Sequence, residues 1–147
     1  MELTNTYRDF FMPLRYEIIK ELNLVLAVGD GIISFSELMD HITQLSQDPG
    51  YKRPMKKLVD YRNVQSIQMT SSESEIFAQK KAGLVEKFVG EKCAIVAPVD
   101  PAYGVARVHD SLMDYKEPGI EISVFRDWEE AKTWLNVRLP KDVKEKI

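Results

Sequence analysis

Short apolar runs that alternate with capped helical segments constrain this chain more than any other feature. Residues 24–28 and 93–97 are apolar throughout, which is typical of strands buried on both faces of a sheet. Ser34 and Glu37 have the spacing of a capping box, and residues 70–72 offer a second set of helix N-caps. This alternation predicts an α/β protein rather than an all-helical or an all-strand one.

The predicted element order is ββαβαβαβα. A hairpin is predicted over residues 16–28, and Gly29-Asp30-Gly31 is predicted to end its second strand. The later strands are predicted at 55–60, 92–98 and 120–125, and the helices at 34–48, 70–90, 101–115 and from Asp127 onward. Residues 61–69 receive no assignment. These elements predict a mixed, mostly parallel sheet of about five strands flanked by helices.

The chain is predicted to contain an N-terminal arm over residues 1–15, a single α/β domain over residues 16–136 and a polar C-terminal tail over residues 137–147. The arm carries Tyr7, Phe10 and Phe11, and aromatic side chains of this kind bury large apolar areas. A core, a lid and a partner-binding surface are all compatible with this pattern. Core or inter-subunit packing is the preferred interpretation, and it makes a homodimer one expected assembly.

Charge narrows the classes of partner. The formal net charge of −3 provides no basic field for a phosphate backbone, so no nucleic-acid partner is expected. The densest basic cluster consists of Lys52, Arg53, Lys56 and Lys57. It is predicted to be the solvated flank of a proline-containing loop, with anion binding as the alternative.

A single cysteine, Cys93, and an N-terminus without a leader pattern favour a reducing, cytoplasmic location. The longest apolar runs fall far short of the ~20 residues that a membrane-spanning helix needs. No membrane span is expected.

Residues 30–37 resemble the second half of a calcium-binding EF-hand loop. The first half would place Leu26 and Val28 at ligand positions, where neither side chain can coordinate a cation. His41, His109 and Cys93 show no metal-ligand spacing. No metal site and no cofactor are therefore predicted.

The sequence contains no glycine-rich phosphate loop, dinucleotide fingerprint or nucleophile elbow. No catalytic residue is predicted on these grounds. An enzyme whose site is assembled from distant residues stays open as a third class of function.

Thr70, Ser71 and Ser72 are the phospho-acceptor candidates. A phosphate at a helix start would face free backbone N–H groups and the positive end of the helix dipole. Glu73 and Glu75 would repel that phosphate. Simple helix capping by these hydroxyls is the preferred alternative.

The chain resembles the SpoIIAA-like, or STAS-like, family. The resemblance rests on Tyr16-Glu-Ile-Ile, Lys57-Leu-Val-Asp60, Cys93-Ala-Ile-Val-Ala and the ending Phe125-Arg-Asp-Trp-Glu-Glu-Ala-Lys-Thr-Trp-Leu135. It implies a mixed sheet flanked by helices, related to anti-sigma-factor antagonists and similar to the CRAL-TRIO lipid-carrier fold. Antagonists of this family are switched by phosphorylation at a helix start, which corresponds to residues 70–72. This chain lacks the preceding aspartate and the following glycine of that motif.

Two functions of different classes follow. The first is a non-catalytic regulatory or protein-interaction module. The second is a carrier of a small apolar or lipid-like ligand, since methionine and aromatic side chains suit an adaptable apolar pocket. Ordinary core packing is the preferred interpretation of those same side chains, and no ligand-binding residue is assigned.

Overall fold

The computed structural model describes residues 12–97 and 119–139. Five strands lie in these ranges: β1 (Leu14–Ile19), β2 (Leu24–Ser34), β3 (Lys56–Gln68), β4 (Lys92–Val96) and β5 (Glu121–Phe125). A 3-10 turn over Lys20–Leu22 joins β1 to β2. Four helices accompany them: α1 (Phe35–Gln47), α2 (Ser71–Ala82), α3 (Val85–Phe88) and α4 (Trp128–Leu135).

The five strands form one sheet in the order β1-β2-β3-β4-β5. β1 is antiparallel to β2, and the other three pairings are parallel. This confirms the predicted mixed, mostly parallel sheet flanked by helices. The helix predicted at 101–115 lies outside the described residues.

Alternate residues of the strands supply two separate cores. Val25 and Ala27 of β2 pack on the face covered by α1 and α2, whereas Leu24 and Leu26 pack on the face covered by α4. All four side chains are at most 2% exposed. The unbroken apolar run therefore reflects burial on both faces, as predicted.

The prediction that residues 29–31 end the second strand is wrong. β2 continues to Ser34, and β3 continues beside it to Gln68, with register shifts where β3 bulges. Gly29 permits a close approach instead of a turn, because a Cβ there would lie 2.5 Å from Ile33 Cδ1 and 2.9 Å from Tyr61 Cδ1. Of residues 61–69, which received no assignment, 61–68 belong to β3.

Three helix starts follow the sequence signals. Ser34 and Thr70 each form a complete capping box, with Glu37 and Glu73 respectively, and the Asp127 carboxylate accepts from the Glu130 N–H. The helix predicted over 70–90 is in fact two helices, because α2 ends at Ala82 before Gly83. Among the described residues, no helix has both the length and the apolar character that crossing a membrane requires.

Candidate functional site

Five ionisable side chains from five separate segments meet between the sheet and the α1/α2 layer. They are at most 7% exposed, and we call them the buried polar cluster. Its members are His41 from α1, Tyr51 from the loop before β3, Lys57 from β3, Lys81 from α2 and Glu91 just before β4.

Glu91 lies at the centre of one half of the cluster. Lys81 Nζ donates to Glu91 Oε1 at 2.8 Å, and the Tyr51 hydroxyl donates to Glu91 Oε2 at 2.7 Å. Burial alone would raise the pKa of Glu91, but the charges of Lys81 and Lys57 and these hydrogen bonds hold the pKa below its ordinary value. Glu91 is therefore an ionised carboxylate with both oxygens satisfied.

The same balance acts on the partners of Glu91. Burial by itself would lower the pKa of Lys81, but the Glu91 charge raises it above its ordinary value. Burial and the Glu91 charge together raise the pKa of the Tyr51 hydroxyl, so this group stays protonated and donates.

Lys57 and His41 form the other half of the cluster. Lys57 Nζ lies 2.8 Å from His41 Nε2. Burial is the main cause that lowers the pKa of both groups, and the nearby Lys81 charge lowers them further. His41 is therefore neutral near pH 7, and the tautomer with its proton on Nδ1 lets Nε2 accept from Lys57.

The hydrogen bonds of the cluster connect α1 to β3 in one half, and α2 and the loop before β3 to the residue before β4 in the other. A lysine with a lowered pKa is a chemical type that serves as a nucleophile in some enzymes. In this chain that lysine is Lys57; its amine is hydrogen-bonded to His41, and the residue is 5% exposed. The hydrogen bonds within the cluster support a structural role for these five groups.

Tyr51, although buried, is also one of the residues that line a surface cavity of about 500 Å³. The other lining residues are Lys52, Arg53, Glu86 and Lys87, and we call this cavity the basic pocket. Lys87 Nζ lies 5.8 Å from the centre of the Tyr51 ring, and an Arg53 Nη1 donates to the Glu86 carbonyl oxygen. The pocket thus joins the loop before β3 to helix α3.

Two contacts hold the loop that carries Lys52 and Arg53. Asn23 Nδ2 donates to the Pro54 carbonyl oxygen at 2.8 Å. On the other side, Gly90 has φ +81°, and a Cβ there would lie 2.8 Å from Pro54 Cβ. Only glycine accommodates both that backbone conformation and that contact.

The basic cluster seen in the sequence is divided among three places. Lys57 is buried, so the predicted solvated flank is wrong for this residue, because β3 directs it into the core-facing layer. Lys56 Nζ donates to the Asn136 carbonyl oxygen at 3.3 Å, beside the C-terminal end of α4. Lys52 and Arg53 remain exposed.

The phospho-acceptor candidates lie elsewhere, at the exposed start of α2. Thr70 is the N-cap, and its hydroxyl accepts from the Glu73 N–H at 3.1 Å. Ser71 and Ser72 are the first two helical residues, and both are exposed. Ser71 precedes Lys81 by ten residues, so it lies roughly 15 Å along the helix from the buried polar cluster.

The carboxylates of the EF-hand-like segment have other partners. Asp30 Oδ2 accepts from Arg15 Nη1 at 2.6 Å, and Glu37 accepts from the Ser34 N–H at 2.9 Å. Within residues 12–97 and 119–139, no three His, Cys, Asp or Glu side chains are arranged to hold a metal ion. Cys93 is buried, and His109 lies outside the described residues.

Sequence reasoning missed Tyr51, Lys81 and Glu91 as partners. One signal was present at Lys57, because it alternates with the buried residues Val59 and Tyr61 and therefore points to the same face. A lysine on a buried face needs a partner.

No protein-family model matches the chain, and no curated protein matches it. Among solved structures, it is similar to an uncharacterized protein of the DUF3478 family with a SpoIIAA-like fold from Shewanella loihica PV-4. The two are 17% identical, with a TM-score of 0.49, over 83% of this chain and 91% of that one. The likeness concerns fold. This likeness assigns no activity to the chain.

Proposed function

We propose that this chain is a non-catalytic interaction module of regulatory type, which binds a partner protein through the basic pocket. The observation that carries this proposal is the different placement of two sets of charged side chains, one in the interior and one around the pocket. The buried charged groups are hydrogen-bonded within the buried polar cluster, whereas Lys52 and Arg53 of the pocket are exposed and Lys87 is half-exposed.

The pairing of the buried groups supports a structural use for them. Removing one partner of a buried ion pair typically costs about 3–5 kcal/mol, because the remaining charge is left without compensation. Lys81 and Glu91 are 4% and 0% exposed. Removal of either charge would therefore destabilise the packing of α2 against the sheet.

The pocket supports a binding role. The whole chain has a formal net charge of −3, yet Lys52, Arg53 and Lys87 line the pocket with Glu86 as the one carboxylate. Within the described part of the chain, none of these three cations forms an ion pair. A local field of opposite sign to the chain as a whole steers and orients an acidic partner.

The charged lining favours an interaction module over a carrier. Pockets for small apolar ligands are lined mainly by apolar and aromatic side chains, whereas four of the five residues that line the basic pocket are charged. Within the proposal, Thr70, Ser71 and Ser72 stay candidate phospho-acceptors, because Ser71 and Ser72 are exposed.

Site-specific photo-crosslinking in the native host tests the proposal. A photoreactive amino acid replaces Lys52 in one variant and Arg138 in a matched control, since both are exposed cations and Arg138 lies after α4. We expect a discrete protein adduct from position 52 that position 138 does not give. The same adducts from both positions, or none from position 52, would overturn the proposal.

A further inference from the structure

We propose that the basic pocket recognises a phosphorylated side chain on the partner protein. This inference rests on the proposed function and names the chemistry of the partner at the same site.

The charge of the pocket matches a phosphate. Three cations, Lys52, Arg53 and Lys87, and the single carboxylate of Glu86 give a local charge of 3 − 1 = +2. A phosphate monoester carries about −1.5 to −2 at neutral pH. A carboxylate carries a single charge and would leave half of this local charge unmatched.

The donors of the pocket suit a phosphate as well. A guanidinium has five N–H donors, and the Glu86 carbonyl oxygen uses one donor of Arg53. The remaining donors can contact two phosphate oxygens at once, which is the geometry that favours arginine at phosphate sites. Lys52 adds an exposed ammonium group, and Lys87, whose Nζ donates to the Asp48 carbonyl oxygen at 3.4 Å, keeps two further N–H donors.

The charges of the buried polar cluster would not repel a phosphate bound in the pocket. Two lysines, Lys57 and Lys81, stand against the one carboxylate of Glu91 behind the Tyr51 ring. The Tyr51 hydroxyl already donates to Glu91 in the interior. Tyr51 therefore contributes its ring, and not its hydroxyl, to the lining of the pocket.

The shape of the pocket favours a side chain presented by a protein. Sites for free small molecules enclose about 70–90% of the ligand surface. In the basic pocket Lys52, Arg53 and Glu86 are all exposed. Such an open surface contacts one side of a phosphorylated residue and leaves its backbone outside.

Backbone amide NMR with short peptides tests the inference. The probe is an alanine-flanked phosphoserine pentapeptide, and the comparison peptides carry glutamate or unmodified serine at the same position. We expect saturable shifts at residues 51–53 and 86–87 with the phosphopeptide. The glutamate peptide should bind at least about tenfold more weakly, because it carries less charge.

Two matched variants locate the site. Lys52→Glu and Arg138→Glu change the net charge equally, and both positions are exposed. We expect Lys52→Glu to lose the saturable shifts and Arg138→Glu to keep them, while both retain the amide dispersion of the folded chain. Equal binding of the phosphoserine and glutamate peptides, or equal binding by the two variants, would overturn the inference.

The two proposals fail differently. If position 52 still crosslinks to a discrete protein but the phosphopeptide gives no saturable shift, the phosphate inference is wrong and the interaction module stands. If position 52 gives no adduct, the interaction module is wrong whatever the peptide does.

Discussion

Lys81 and Glu91 form a 2.8 Å ion pair in which both side chains are almost completely buried. The pair joins α2 to the residue before β4, and the Tyr51 hydroxyl completes the coordination of the carboxylate. A buried ion pair is costly to break because each charge depends on the other for its solvation.

Glu91→Gln removes the charge that compensates Lys81. We expect the variant to lose about 3–5 kcal/mol of unfolding free energy, measured by urea denaturation. Glu129→Gln is the matched control, because Glu129 pairs with Lys132 at 3.0 Å but is 70% exposed. We expect a loss below about 1 kcal/mol there. Equal losses would show that burial of the Lys81 pair has no energetic consequence.

Thr70→Ala removes the hydroxyl that caps α2. The capping box contributes one hydrogen bond from the Glu73 N–H to Thr70 Oγ1, so we expect a loss of about 1 kcal/mol. Ser71→Ala serves as the comparison, since Ser71 is the first helical residue and is exposed. Its unfolding midpoint should stay the same or rise slightly. A larger loss at Ser71 than at Thr70 would contradict the assigned N-cap.

The stability of the chain should fall as the pH drops below the ordinary pKa of histidine. Burial lowers the pKa of His41 in the folded state below the unfolded value of 6.5. The unfolded state therefore binds the extra proton between these two pKa values, so acid favours unfolding in that window. We expect unfolding free energy to decrease from about pH 7 to about pH 5.5, by at most about 1.4 kcal/mol per pH unit from this group.

His41→Gln isolates that contribution. The glutamine does not titrate, so the variant should show a flatter pH dependence over the same window. NMR of the imidazole nitrogens provides a direct check, because His41 should take up its proton at a lower pH than an ordinary histidine does. A His41 ring that titrates at its ordinary pKa would contradict this account.

Gly90→Ala should destabilise the folded chain, because residue 90 contacts Pro54 in the loop that carries Lys52 and Arg53. The new Cβ would meet Pro54 Cβ at 2.8 Å, and φ is +81° at this residue. We expect a loss of more than about 1 kcal/mol in thermal or urea unfolding. Gly119→Ala is the control, because nothing lies within 4 Å of a Cβ there. A neutral Gly90 variant would show that the loop has room to move.

Local signals explain why most of the fold could be predicted. The caps at Ser34 and Thr70 and the apolar run at residues 24–28 act over a few residues, and each appears in the structure as predicted. The extension of β2 and β3 was missed because residues 29–31 have the composition of a turn. Two bulges also disturb the alternation of β3.

The buried polar cluster could not be derived in the same way. Its members are numbered 41, 51, 57, 81 and 91, and only the parallel pairing of β3 with β4 and the crossover helices bring them together. A single sequence contains no signal for that proximity. Strand alternation is enough to infer that Lys57 is buried, whereas it does not identify His41 as its partner.

The neighbours Lys56 and Lys57 point to opposite faces of β3, one towards the C-terminal end of α4 and the other into the buried polar cluster. A slip of β3 by one residue would exchange these faces along the whole strand. Lys57 would lose His41, and the apolar residue Leu58 would be placed opposite the polar groups of the cluster. The different environments of the two adjacent lysines therefore raise the free energy of sheets in which β3 is out of register, and they favour a single strand pairing during folding.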